Sequence, residues 1–318
     1  MNIILITVFS CGYFEELQLT TLNYETVDNS SSELCDEGVE QDSSLEATVA
    51  MFPETFHKLQ SIVTQCIEQF TLIAKEEIPK GRPLKISKED ALVFALYLHR
   101  STRATKKSVY DDFMVSLDCS YKTFVCAVNR AGTLALRLLF KLMRLGRKHA
   151  HLLKFTDATD IPVCLAKNAK KHRVMKGLAG WGYSGKGFYY GLKMTMTRDD
   201  DGRMLGLRFT APKTNDRDIF REINREIDGI IVADAGYVSK QLEREMYVDG
   251  KRWVLIKPFK TMKKLAEAWQ LALYNRRFRI EFDFRSLKLF HGLVSSLPRS
   301  VEGYISNYLL ALTSFVLR

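Results

Sequence analysis

Carboxylates in the second half of the chain lie where an α/β sheet would present a functional edge. Asp157 lies inside the predicted strand Leu153–Val163, although aspartate is disfavoured in strands, so a functional use for it is expected. Asp234 follows the apolar run Ile230–Ala233, which places it at the carboxyl end of a buried strand. Ligands of open α/β sheets bind at such ends. The alternative for Asp234 is a turn or helix-capping aspartate.

Four residues near the C terminus share one face of the helix predicted over Met262–Leu289. They are Tyr274, Arg277, Glu281 and Lys288. At about 100 degrees per residue, their positions fall within roughly a sixty-degree arc. The two cations would keep the carboxylate of Glu281 ionised, and they could hold phosphates while the carboxylate binds a metal. The alternative is a salt-bridged surface helix.

These four residues match, residue for residue, the Y-(2)-R-(3)-E-(6)-K signature of bacterial insertion-sequence DDE transposases. Three other segments also resemble motifs of that family. Asp157–Cys164 is similar to its Asp-Ser-x-Pro-hydrophobic-Pro-Val-Cys motif, and Asp234–Tyr237 is similar to its Asp-Lys/Arg-Gly-Tyr motif. Tyr189–Lys193 resembles its Tyr-Gly-hydrophobic-Lys strand. The resemblance extends from about Lys85 to the C terminus.

Two positions depart from the family pattern. Asp160 stands where the family has proline, and Ala235 stands where it has a basic residue. Asp160 is therefore a rival for the role of Asp157, which is favoured by its position within the motif. The missing charge at Ala235 removes a possible DNA contact, so a decayed, weakly active copy is a second hypothesis.

The resemblance implies an α/β fold with an RNase H-like mixed sheet flanked by helices. It implies that Asp157, Asp234 and Glu281 are catalytic and hold two Mg²⁺ ions, for which Mn²⁺ may substitute. The implied reaction is metal-dependent cleavage and strand transfer of an insertion sequence, with its terminal inverted repeats and a target as double-stranded DNA partners. The alternatives are an RNase H-like endonuclease without strand transfer and a decayed, non-catalytic DNA-binding remnant.

The charge distribution divides the chain. Residues 1–50 contain ten acidic residues and no Lys or Arg, so the other 268 residues carry a net charge of +20. Such a basic body indicates a polyanionic partner, either nucleic acid or an anionic membrane face. We predict an acidic, flexible leader (1–50), a helical DNA-binding region resembling a helix-turn-helix (51–150) and a catalytic domain (151–318).

Three helices are predicted in the second of these regions, over Lys88–His99, Lys106–Met114 and Ser120–Leu145. Ser87 with Asp90 indicates an N-cap for the first. Basic residues would line the exposed side of the triplet, with the third helix in a major groove. They are Arg100, Arg103, Lys106, Lys107, Lys122 and Arg130. The alternative is an ordinary helical bundle with a solvated basic face.

Further DNA contacts are expected near the catalytic residues. Arg277 and Lys288 would neutralise backbone phosphates, and Tyr274 could position the strand. A basic loop after Asp157 would follow phosphates. Its candidates are Lys170, Lys171, Arg173 and Lys176. In the glycine-rich stretch that follows, Trp181 and Tyr183 could stack on an unpaired base, although a packed turn is the more common role of such a segment. Trp253 and Trp269 lie in apolar patterns and are expected in the core.

The remaining patterns bear on assembly and location. No apolar run reaches the roughly eighteen residues that a membrane span needs, so we expect no membrane partner and a bacterial cytoplasmic protein associated with the nucleoid. The six cysteines include no CxxC pair, which argues against a thiolate zinc site. Two double-strand cuts followed by joining need two active sites. The resemblance therefore implies a homodimer on DNA.

Overall fold

The computed structural model describes residues 54–73, 84–100, 105–248, 250–256 and 267–318. The acidic leader and Arg103 lie outside these residues, so their predicted roles stay predictions. The described chain begins with four helices, α1 (Glu54–Phe70), α2 (Lys88–Arg100), α3 (Lys106–Phe113) and α4 (Tyr121–Lys148). The last three lie close to the bounds predicted from the sequence.

Side-chain caps set where these helices begin. The Ser87 hydroxyl accepts a hydrogen bond from the backbone N–H of Asp90 at 2.9 Å, as the sequence predicts. Thr105 caps α3 and Ser120 caps α4 in the same way, each accepting from the backbone N–H three residues later. Each cap satisfies a donor that the first helical turn would leave unpaired. The short polar segments between the helices therefore fix the starts of α3 and α4.

Helix α4 combines an apolar face with a basic one. By length and composition it is the one helix in the described chain that could cross a membrane. Its apolar face packs against α2 and against α9 (Val301–Val316), and Gly132 permits this close approach because a Cβ there would collide with Ser306 of α9. The opposite face is charged and exposed, which is the pattern of an amphipathic helix that packs one face against a core.

In the part of the chain that the structure describes, six strands form one mixed sheet. They are β1 (Leu153–Cys164), β2 (Gly180–Ser184), β3 (Gly187–Asp199), β4 (Met204–Thr210), β5 (Gly229–Ala233) and β6 (Arg252–Ile256). The order is β2-β3-β1-β5-β6, with β4 also paired to β3. Strands β1 to β4 pair antiparallel, whereas β5 runs parallel to β1 and β6 parallel to β5. Helices flank the sheet, and the arrangement confirms the expected RNase H-like fold.

The remaining helices are α5 (Asp216–Asn224), α6 (Lys240–Met246), α7 (Ala268–Arg276) and α8 (Phe278–Leu289). One buried apolar cluster extends from α1, α2 and α4 through β1 and β3 to α9. The N-terminal helices and the sheet therefore share a core. The predicted boundary at residue 150 stays a prediction.

Strand β2 was not predicted, because its glycines are disfavoured in strands. The sequence instead favours a packed turn for this glycine-rich stretch. The absence of a side chain at Gly182 is required by packing, since a Cβ there would lie 2.6 Å from Pro212 and 2.7 Å from Tyr189. A strand whose glycines are needed for close approach carries little of the apolar alternation by which strands are detected.

Two buried histidines connect α2 with the C-terminal helix. His99 Nδ1 lies 2.7 Å from the carbonyl oxygen of His291, and His291 Nδ1 lies 3.1 Å from the Ser314 hydroxyl. Burial lowers the pKa of each imidazole from 6.5 to about 4. Both side chains are therefore neutral in the folded protein at neutral pH.

Acid should weaken the fold through these histidines. The unfolded chain binds their protons near pH 6.5 and the folded protein only near pH 4, so the free energy of unfolding should fall as pH drops between these values. The limit is on the order of 3 kcal/mol per histidine. Urea denaturation from pH 7 to 4 should show a shallower fall for His99→Gln than for the parent. If the free energy of unfolding fell equally with pH in the two proteins, the conclusion that His99 is buried in its neutral form would be contradicted.

Candidate active site

The sheet register brings Asp157 and Asp234 together. Strands β1 and β5 run parallel, and their last pair is Thr156 with Ala233. The residue that follows this pair is therefore Asp157 along β1 and Asp234 after β5. Beyond this pair, β1 continues along β3 as far as Cys164, while the chain after β5 turns into a short 3₁₀ segment that begins at Ala235. The two aspartates thus lie where neighbouring strands diverge.

Helix α8 brings the third carboxylate to the same place. Its Ile280, Phe284 and Leu287 are buried, and the helix lies against β1. Arg277 forms the joint between α7 and α8, and Glu281 follows one turn later. Packing of this apolar face therefore aims both side chains at the strand that carries Asp157.

All three carboxylates converge on the guanidinium group of Arg277. Nη1 lies 2.6 Å from Asp157 Oδ2, and Nη2 lies 2.7 Å from Glu281 Oε1 and 3.8 Å from Asp234 Oδ1. The backbone N–H of Ala158 also donates to Asp157 Oδ1 at 2.8 Å. Residues separated by more than a hundred positions in the sequence thus share one cation.

The acidic cluster, formed by Asp157, Asp234 and Glu281 around Arg277, is closed on one side and open on the other. The side chains of Arg277 and Asp157 are 7% and 18% exposed, whereas those of Asp234 and Glu281 are 45% and 44% exposed. Burial raises the pKa of Asp157 to about 6, and Arg277 only partly opposes this effect. A ligand can therefore approach from the side of Asp234 and Glu281, and it would meet a buried carboxylate at the back.

The donor set fits divalent metal ions, with one reorganisation. Three carboxylates supply the hard oxygen atoms that Mg²⁺ and Mn²⁺ prefer. Within the described ranges, however, no three His, Cys, Asp or Glu side chains form a ready-made metal site. The guanidinium lies among the three carboxylates and supplies the positive charge that cations would bring. Metal binding at these residues would require Arg277 to move.

Residues 147–300 match the family model of the transposase DDE domain. This segment belongs to the transposase DDE domain family. The resemblance seen in the motifs is thereby confirmed, and the match includes all of the acidic cluster. Members of the family act on DNA and use divalent metal ions. No curated protein matches the chain.

Within the DDE domain, the structure separates Asp160 from the acidic cluster. Asp160 Oδ1 lies 3.0 Å from Nζ of Lys288, the last residue of the four-residue signature. Asp157 instead contacts Arg277, together with the other two carboxylates. Geometry therefore favours Asp157 over Asp160 as the partner of Asp234 and Glu281.

The helix predicted over Met262–Leu289 is interrupted within the four-residue signature, between Tyr274 and Glu281. Helix α7 ends at Arg276, and α8 begins at Phe278. At the joint, the N–H of Arg277 bonds to the carbonyl of Tyr274 three residues earlier, which winds the chain more tightly than an α-helix. Tyr274 is buried, and its hydroxyl donates to the carbonyl of Ile256 at 3.0 Å. Its predicted contact with DNA stays a prediction.

The predicted basic contacts differ in their exposure. Lys122 and Arg130 are exposed on α4, and the basic loop presents four exposed cations. These are Lys170, Lys171, Arg173 and Lys176. Arg100, by contrast, is half-buried and donates to the carbonyl of Ser314, while Lys106 bonds to Asn129. The expectation that both line an exposed face was wrong, because each is used within the fold.

The basic face of α4 extends further than the sequence prediction had it. Four more cations are exposed on that face, namely Arg137, Lys141, Arg144 and Lys148. With Lys122 and Arg130 they are spaced by three, four, seven or eight residues, which keeps them on one side of a helix. Helical spacing alone could have identified this stripe.

The aromatic residues give a mixed result. Trp181 and Tyr183 on β2 are exposed, and Tyr183 forms an edge-to-face pair with the exposed Phe188 across the hairpin. Their predicted stacking on a base stays a prediction. Trp253 and Trp269 are about half exposed, so their assignment to the core was wrong. On β6 it is Ile256 that is buried in the core.

Removing the guanidinium should destabilise the metal-free protein and increase its stabilisation by metal. Arg277→Gln leaves three carboxylates near one another without their common cation, at a cost on the order of 3 kcal/mol. Mn²⁺ would offset that repulsion, and it would no longer compete with an arginine. Thermal denaturation in EDTA and in MnCl₂ should show a lower melting temperature in EDTA and a larger Mn²⁺-induced rise than the parent shows.

Arg276→Gln is the matched control. Arg276 is the preceding residue, and it pairs with Asp200 at 2.6 Å, outside the acidic cluster. Its Mn²⁺-induced shift should equal that of the parent. An Mn²⁺ shift in Arg277→Gln no larger than the parental one would mean that the guanidinium does not occupy the cation position.

Proposed function

We propose that the protein is a DDE transposase that cleaves the ends of an insertion sequence and transfers the cut strand to target DNA. The observation that carries the proposal is the convergence of Asp157, Asp234 and Glu281 on a single cation. The family match supports the reaction class, and the open side of the cluster leaves room for a DNA strand.

The three carboxylates would hold two Mg²⁺ ions, with Mn²⁺ as a substitute. Bound there, such ions supply an activated water or 3′-hydroxyl and stabilise the leaving oxygen in an in-line displacement at phosphorus. Asp157 would anchor the site from its buried position, while Asp234 and Glu281 close it on the solvent side. Arg277, once displaced from the carboxylates, would pair with a phosphate of the reacting strand.

The DNA-binding surface would combine two basic features. The exposed stripe of α4, with Lys122 and Arg130, would follow one stretch of duplex backbone. The basic loop after β1 would hold the DNA beside the carboxylates. In this proposal the helical region binds the terminal inverted repeats, and a homodimer on DNA supplies two active sites. Its location would be the bacterial cytoplasm, in association with the nucleoid.

Cleavage of the element's own flanking DNA tests the proposal. The full chain is incubated with a labelled duplex carrying one end of the element, in Mg²⁺, in Mn²⁺ and in EDTA. Denaturing gels should show metal-dependent cuts at the end, and addition of a target plasmid should give joined products. Mass photometry of the same mixture should show two protein copies per complex. DNA binding without any metal-dependent cut would contradict the proposal.

The same experiment separates the two alternatives. An endonuclease would give cuts but no joined product. A decayed remnant would bind DNA without cutting it, and Ala235, which replaces the basic residue of the family motif, is the feature that favours this candidate.

A further inference from the structure

Lys288 makes an ion pair that the family motif does not provide. It lies in the last turn of α8, and its Nζ is 3.0 Å from Asp160 Oδ1 on β1. The two side chains are only 17% and 18% exposed. Asp160 stands where the motif has proline, which could not neutralise a lysine. The pair is therefore a property of this chain.

A second lysine acts on Lys288. Burial lowers the pKa of Lys288, Asp160 opposes this effect, and nearby Lys186 adds to it. Lys186 lies in the turn between β2 and β3, whose exposed aromatics flank it. Without the carboxylate of Asp160, Lys288 would lose its anionic partner while Lys186 still acted on it. Such a spot favours an anionic oxygen.

A DNA phosphate presents to Lys288 the same chemistry as Asp160. Both offer an anionic oxygen to an ammonium group, so one can replace the other. The second half of β1 has β3 on one side and, in the described chain, no strand on the other. Lys288 reaches Asp160 at this free edge, three residues beyond Asp157. A strand bound at the carboxylates would pass close to the pair.

We propose that Asp160 is a positioning residue that holds Lys288 against β1 in the DNA-free protein and competes with a DNA backbone phosphate for its ammonium group. This inference rests on the proposed function. DNA must break the Asp160–Lys288 pair before Lys288 can neutralise a phosphate. Asp160 thereby lowers the affinity for DNA, and wherever it keeps Lys288 in the complex the protein neutralises one phosphate fewer.

The test measures how DNA affinity depends on salt. Fluorescence anisotropy is recorded with a labelled duplex of about thirty base pairs that contains the element end, in Ca²⁺ so that cleavage is suppressed. For Asp160→Asn we expect roughly threefold tighter binding near 0.1 M salt and a slope of log K against log salt that is steeper by about 0.9. Asp160→Glu keeps the charge and should match the parent.

A variant that already lacks Lys288 shows whether the effect of Asp160 depends on its pair with that lysine. In Lys288→Gln, the further change Asp160→Asn should alter neither the affinity nor the slope. Glu245 on α6 forms an ion pair with Arg221 on α5 at the surface. Glu245→Gln removes this one negative charge, and it should leave the slope unchanged. Thermal denaturation of each variant checks that the fold persists.

Several results would overturn the inference. An unchanged affinity and slope in Asp160→Asn would mean that Asp160 does not withhold Lys288 from a phosphate. An equal effect in the Lys288→Gln background or in Glu245→Gln would make it a consequence of net charge alone. Loss of Mn²⁺-induced stabilisation in Asp160→Asn would make Asp160 a metal ligand. A parent that does not bind DNA at all would instead refute the proposed function, so the two failures are distinguishable.

Discussion

Asp157→Asn, Asp234→Asn and Glu281→Gln are each expected to lose metal-dependent DNA cleavage by more than about a hundredfold while they retain DNA binding. Loss of a partner that merely orients a metal ligand already costs about ten- to a hundredfold, and these residues would be the ligands themselves. Each substitution preserves the size of the side chain and removes the charge that holds a cation. The measurements are nicking of the labelled end in Mg²⁺ and anisotropy with the same DNA in Ca²⁺.

Asp228→Asn provides the matched control for this series. Asp228 immediately precedes β5 and lies at the opposite end of that strand from Asp234. Its exposed carboxylate lies 3.4 Å from the guanidinium of the buried Arg252, which also donates to the backbone carbonyls of Arg225 and Ile227. Its cleavage rate should stay within about twofold of the parent, as for a surface substitution of small energetic effect. Parental cleavage in all three site variants would refute the assignment of the site. Loss of cleavage in Asp228→Asn as well would attribute the effect to folding.

Asp283→Ala is expected to lower the free energy of unfolding by about 3–5 kcal/mol. Asp283 lies on the face of α8 that packs into the protein, 2.6 Å from Arg198 Nη1 and 3.2 Å from Arg318 Nη2. Burial raises the pKa of Asp283 even though both arginines oppose the change. Removing its carboxylate leaves the buried guanidinium of Arg198 without its charged partner, and an uncompensated buried charge is costly.

Urea denaturation at neutral pH measures this effect, and Asp201→Ala is the control. Asp201 pairs with Arg203 at 2.6 Å, but both side chains are exposed, so its loss should cost less than about 1 kcal/mol. Equal losses in the two variants would show that the Arg198–Asp283 pair contributes no more than a surface pair. Because this pair fastens α8 to β3, Asp283→Ala should also lower the urea concentration at which cleavage is lost.

The sequence was sufficient for those parts of the protein whose signals are local. The cap at Ser87 and the helices predicted over Lys88–His99, Lys106–Met114 and Ser120–Leu145 agree closely with the observed bounds. Asp234 could be placed at a strand end because the apolar run Ile230–Ala233 stops just before it, whereas Asp157 was singled out as an aspartate within a strand. The resemblance to the family implied that the two aspartates lie together. The structure shows that the parallel pairing of β1 with β5 brings them together, and hydrophobic periodicity alone does not predict this pairing.

The parts that the sequence did not reveal depend on contacts between distant segments. The joint at Arg277 follows a helical pattern that continues unbroken in sequence, so the burial of Tyr274 against β6 was not foreseen. Arg100 and Lys106 resemble surface cations until their acceptors, Ser314 and Asn129, are known. The pairing of Asp160 with Lys288 joins residues 128 positions apart, and no local rule predicts it.

The C-terminal helix α9 lies against α2 and α4 while its neighbours in the core belong to the catalytic sheet. A fragment that ends near residue 150 would therefore leave the apolar sides of α2 and α4 facing water, and it should aggregate or unfold when produced alone. A load placed on the N-terminal helices by DNA would be transmitted through α9 to the sheet. If the proposed function holds, DNA recognition by the N-terminal helices and catalysis at the sheet are coupled mechanically through α9.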